Sequence, residues 1–120
     1  MENTKGWTYI IQRSTTMATT KIDPGICGEY TTVTATLLND YQVKLEFDTT
    51  CPHIKNLADE LLEVNAWNEI SFHHGTPESI QKGIEHCPHA ACPVPVGVVK
   101  AIEVAAGLAL PKDVIIKVEA

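Results

Sequence analysis

The sequence predicts an α+β domain in which a small, largely antiparallel sheet, made from a β-hairpin and a C-terminal strand, is covered by two or three helices. Three observations carry this reading. Apolar residues alternate with period two over residues 29–38 and again over 41–48, the period changes to 3.6 from Pro52 onward, and one more alternating run, Asp113 to Glu119, closes the chain. A chain of 120 residues has the length for one hydrophobic core and not for two.

Residues 1–20 read as an N-terminal extension, loose or contributing an edge strand through the alternation Trp7, Tyr9, Ile11. Met17 opens the stretch Met17-Ala18-Thr19-Thr20, so removal of the first sixteen residues should leave the fold intact. Residues 21–120 then form a single α+β domain, entered through the turn signal Ile22-Asp23-Pro24-Gly25.

The hairpin follows. Val33, Ala35 and Leu37 share one face with threonines between them, and Val43, Leu45 and Phe47 share one face of the second run. Opposed residues of an antiparallel pair point to the same side of a sheet, so a two-residue loop would set Val33 and Ala35 against the charged Glu46 and Lys44. A three-residue loop, Leu38 to Asp40, instead pairs Leu37 with Tyr41, Ala35 with Val43 and Val33 with Leu45, and a longer odd loop keeps the same faces. Extended to the open end, this register sets Cys27 opposite Cys51.

Ile54, Leu57, Ala58, Leu61 and Leu62 then form the stripe of a core-facing helix, with Thr50 or Cys51 at its cap and Pro52 in its first turn. Asn65 to Phe72 fits no single period. Thr76-Pro77-Glu78 starts a short helix to about His86, with Thr76 as N-cap. A strong helix after Pro95 carries Val98, Val99, Ile102, Ala105 and Ala106 on its apolar side and stops at Gly107. The last strand places Val114, Ile116 and Val118 on one face.

Composition excludes several classes of function. Nine Lys and Arg against fifteen Asp and Glu give a net charge of −6 with no basic cluster, which argues against nucleic-acid binding. No window approaches the roughly 18 apolar residues of a membrane span. The patch from Trp7 to Ile11 between Lys5 and Arg13 is too short and interrupted for a secretory signal, so a cytoplasmic protein is expected. In a reducing compartment the four cysteines are read as thiols, metal ligands or redox groups before disulfides. There is no Gly-rich phosphate loop, no Gly-x-Ser-x-Gly and no His-Glu-x-x-His.

The cysteines are the informative residues. Cys51, Cys87 and Cys92 are each followed by proline, which stiffens the backbone, and Cys51 and Cys92 precede predicted helices whose N-terminal dipoles favour thiolate. Cys27 sits in Gly25-Ile26-Cys27-Gly28, where the flanking glycines permit close approach to a bulky ligand. Free cysteine is among the most buried residue types, and any one of these reads equally well as a small core residue. All four together lie at junctions between elements and off the apolar stripes. Zinc-type spacing is approached only by Cys87-x4-Cys92. His89 and His53, each two residues after a cysteine, are candidate ligands or hydrogen-bond donors to the ligands, His53 the lesser because it falls on the first turn of a helix. His73 and His74 read as a solvated loop, and His86 is ambiguous.

Cys27-Gly28-Glu29 opening a hairpin, Cys51 leading into an amphipathic helix, and Cys92 before a helix containing Val98-Val99-Lys100-Ala101-Ile102 together resemble the IscU/NifU-type iron–sulfur scaffold proteins over roughly residues 22–106. The resemblance implies that Cys27, Cys51 and Cys92 are cluster ligands and that Glu29 stands where that family has an acidic residue involved in cluster handling. Clusters commonly take four protein ligands, and Cys87 is the remaining thiol. The expected function is therefore an iron–sulfur cluster-binding protein, [4Fe–4S] or [2Fe–2S], acting as a scaffold-like carrier or maturation factor. Its partners would be other iron–sulfur or metalloenzyme maturation proteins. Two other readings stay open: a thiol-dependent enzyme with Cys51 or Cys92 as nucleophile and a nearby histidine as base, and a structural zinc protein.

Overall fold

The structure is a computed structural model that describes residues 16–120. The chain is an α+β domain. Strands β1 (Met17–Ile22), β2 (Thr31–Leu37), β3 (Gln42–Thr49) and β4 (Glu63–Asn65) form one antiparallel sheet in the order β1-β2-β3-β4. Helices α1 (Pro52–Asp59), α2 (Ala66–Glu69), α3 (Glu78–His86) and α4 (Val94–Ala105) cover one face, with a 3-10 turn at Phe72–His74. The alternation Trp7, Tyr9, Ile11 lies outside the described residues. Among the described residues no helix is long and apolar enough to cross a membrane.

The hairpin forms with the expected faces but in a different register. Val33 pairs with Phe47, Ala35 with Leu45 and Leu37 with Val43, each displaced by two residues along β3 from the predicted partner. The loop is Asn39-Asp40-Tyr41, closed by Leu38 N–H donating to the Gln42 carbonyl at 2.8 Å. The cause lies in the loop backbone, where Asp40 (φ 47°) and Tyr41 (φ 65°) are both left-handed. Such a conformation costs a non-glycine residue about 1–2 kcal/mol. Two contacts offset it: the Tyr41 ring packs on Trp67 with centroids 5.1 Å apart, and the Tyr41 carbonyl accepts from Ala66 N–H at 2.8 Å. Because the displacement is even, Val33, Ala35, Val43 and Leu45 still point into the core. The expected pairing of Cys27 with Cys51 is lost, since the ladder ends at Thr31 and Thr49, whose hydroxyls bond at 2.8 Å.

Two strands flank the hairpin where a C-terminal strand was expected. In β1 the even residues face the helices: Thr20 Oγ1 donates to the Gly97 carbonyl at 3.0 Å, and Ile22 is buried. The predicted strand Asp113 to Glu119 does not form. Gly107 (φ 75°) ends α4, with its N–H on the Val104 carbonyl and that of Leu108 on the Glu103 carbonyl, and the chain then runs out exposed with no ladder partner. Alternation fits a strand's pleat, but a strand also needs a neighbour, and the tail has none in its own domain.

Helix α4 lies across β1 and β2 with Val94, Val98, Ala101, Ile102 and Ala105 buried, while α1 lays Ile54 and Leu57 on β3. Helix α3 rests on α1 and α4. The approach of α4 to β1 depends on Gly97, where a Cβ would come within 2.7 Å of Ile22 Cγ1. Overpacking of this kind costs about 1–3 kcal/mol, against about 1 kcal/mol gained in helix propensity. Gly97→Ala should therefore lower the urea midpoint at unchanged slope.

Candidate metal centre

The four cysteines gather at one end of the sheet. Cys27 is held in the turn between β1 and β2, where Gly28 N–H donates to the Gly25 carbonyl at 3.0 Å and Gly25 N–H to Asp23 Oδ1 at 3.0 Å. Gly25 (φ 89°) and Gly28 (φ 71°) supply the left-handed conformations of this turn, and they leave Cys27 exposed. Cys51 is the N-cap of α1, its N–H on Thr49 Oγ1 at 3.2 Å and its carbonyl accepting from Lys55. Cys87 is the C-cap of α3, and Cys92 lies two residues ahead of α4 with its N–H on the His89 carbonyl. Cys51, Cys87 and Cys92 are half-buried against the core.

A pocket of about 330 Å³ opens between these junctions, and Cys27, Glu29, Cys51, His53, His89 and Cys92 all line it. Cys87 is a close neighbour of Cys92. Burial, then the neighbouring sulfurs of Cys92 and Cys51, push the Cys87 thiol up to about 12. The Cys87 thiol therefore resists ionisation. A bound metal ion reverses that balance, because its charge deprotonates a coordinating thiol outright. Glu29 is half-buried and accepts from Thr50 Oγ1 at 2.8 Å.

The spacing of the donors is open. Four thiolates on one zinc ion sit about 3.8 Å apart, as bonds of about 2.3 Å at tetrahedral angles require. Among the described residues no three of these cysteines and histidines bring their ligand atoms all within 4.8 Å of one another. The one such group is Glu60, Glu85 and His86, which sequence reasoning did not find and which includes no thiol. It is already served by a cation: Lys82 Nζ is 3.1 Å from Glu60 Oε1 and 3.3 Å from Glu85 Oε1, and His86 Nε2 is 3.1 Å from the same Glu60 oxygen. The His86 ring and then the Lys82 ammonium, each close to Oε1, hold the Glu60 carboxyl below the usual range. His73 and His74 lie exposed in the 3-10 turn.

The comparisons correct the family suggested by cysteine order. No curated protein and no solved structure matches the chain. The one family model found is not of the IscU/NifU type. Consistent with this, the residue before Cys92 is Ala91, where the scaffold proteins carry histidine. The resemblance arose because a hairpin end followed by helix starts is a general way to aim loop thiols at one place. The matching model covers residues 18–118, and the chain belongs to its family, the family of unknown function DUF6951.

Proposed function

We propose that Cys27, Cys51, Cys87 and Cys92 hold an iron–sulfur cluster, with Glu29 and His89 at its margin and His53 on the far wall of the pocket. The protein would carry that cluster or take part in maturing a metalloenzyme. The observation that supports this most is that thiols from three separate connections, Cys27, Cys51 and Cys92, line one pocket with Cys87 beside Cys92, while no three of these donors stand within 4.8 Å of one another. Soft thiolates suit iron–sulfide cores, and a cluster spreads its ligands because they are shared among two or four irons. The remaining residues would shield the centre on its core side through Ile54, Pro52 and Val94 and leave it open toward Cys27.

The test is metal and acid-labile sulfide analysis of protein purified without oxygen. Iron and sulfide in comparable amounts, with a brown colour, are expected. Zinc without sulfide would establish the structural zinc reading instead, and neither metal would leave the thiols as the reactive groups.

Two substitutions resolve the roles within the set. Cys87→Ala should give a cluster that forms but is lost to chelator about tenfold faster, the size of effect seen when a supporting contact to a metal site is removed; an unchanged chelator half-life in Cys87→Ser would show that this thiol only packs. Glu29→Ala should keep the iron content of the parent protein and change the rate of cluster release. Equal release rates would remove Glu29 from the site.

A further inference from the structure

The C-terminal tail and the outer edge of the sheet each lack what the other supplies. From Leu110 onward the chain forms no helix or ladder and every residue is exposed, with Val114, Ile115, Ile116 and Val118 between 55% and 91% exposed. An alternating β-branched run of this kind has the pattern of a half-buried strand. It is also part of the domain and no appendage, since the family's sequence pattern runs through residue 118.

The matching surface is the outer side of β1. Thr16 is bonded to Leu37 through its carbonyl, so by antiparallel alternation Met17, Thr19 and Lys21 turn their N–H and C=O groups away from β2. Among the described residues nothing pairs with them. Exposed edges are commonly blunted by proline, clustered charge or short length. Strand β1 has six residues, no proline and one charge, Lys21, whereas β4 at the other edge has three residues and begins at Glu63. The β1 edge is thus built to be paired, and its length matches the seven residues of the tail.

We propose that residues 113–119 of one copy add as a fifth strand to the β1 edge of a second copy, and reciprocally, giving a strand-exchanged dimer. Val114, Ile116 and Val118 would then lie beside Ala18, Thr20 and Ile22 on the helix side, extending the core past its present margin. A second copy is the occupant because the tail stands away from its own sheet, and because a reciprocal exchange satisfies both edges with one symmetric contact.

Sedimentation of the full chain over a range of concentrations tests this. A species of about 26 kDa, twice the 13.1 kDa of the chain, is expected. Run parallel to β1, the tail aims the N–H groups of its even residues at the edge, so Ile116→Pro removes a ladder donor from the tail and Thr19→Pro removes one from the edge. Each should convert the dimer to monomer, Ile116→Pro with the helical part of the circular dichroism spectrum unchanged, because within its own chain the tail is no part of the core. A parent chain that stays monomeric, through a tail folding onto its own edge or another segment covering β1, would overturn the proposal. So would a dimer that survives Ile116→Pro, or one that survives a folded Thr19→Pro.

Discussion

Cys51→Ala and Cys92→Ala are each expected to yield folded protein that retains essentially no iron or sulfide. Cys51 joins β3 to α1 and Cys92 leads into α4, so each thiol is fixed by a rigid element on a different wall of the pocket. Loss of either removes one side of the ligand set, whereas Cys87 is a close neighbour of Cys92 and Cys27 is carried on an exposed turn. The side chains are small and only half-buried, so the fold should lose only about 1 kcal/mol, within the range of ordinary truncations. Iron and sulfide analysis beside a urea titration separates the two effects. Retention of iron near the parent level in either variant would exclude the thiol from the site.

Glu69→Ala should destabilise the fold by about 3 kcal/mol, a larger loss than any single cysteine gives. Glu69 is 3% exposed, and its carboxylate accepts from Glu78 N–H at 3.0 Å, Ser79 N–H at 2.8 Å and Ser79 Oγ at 2.6 Å. It caps the start of α3 from outside that helix, where an anion also meets the positive dipole end. Hydrogen bonds to a charged acceptor contribute about 1.5–3 kcal/mol each, though not additively, and truncation leaves buried donors without partners. Glu69→Gln keeps one acceptor oxygen and should lose about half as much. Both would appear as a lower urea midpoint, and a midpoint within error of the parent would show that water replaces the carboxylate.

What was legible in the chain was what repeats. Alternation in Val33, Ala35, Val43 and Leu45 identified the hairpin, and the spacing of Ile54, Leu57 and Leu61 identified α1, because burial on one face imposes a period. The register was misread by two residues because nothing in Asn39-Asp40-Tyr41 announces two consecutive left-handed residues without glycine. Strand β1 was hidden because its inward face includes Thr20, whose hydroxyl is satisfied by a carbonyl of α4 that only tertiary structure brings near. The tail was read as a strand from its pattern, and pattern alone does not supply a ladder partner. Glu69 was passed over because a buried carboxylate is explained by donors nine and ten residues away. The gathering of the thiols survived the register error because it depends on the side to which the connections lead, and an even shift leaves that unchanged.

The strand order β1-β2-β3-β4 repeats the order of the chain, so every pairing in the sheet joins sequence neighbours. Sheets of such local contacts close early in folding. A ribosome adding about 5–20 residues per second exposes the whole meander, with Cys27 and Cys51, seconds before Cys87 and Cys92 emerge. For that interval the nascent protein displays an incomplete pair of soft ligands. Premature capture of a thiophilic ion by this pair, or its oxidation to a disulfide, is then a hazard of biosynthesis.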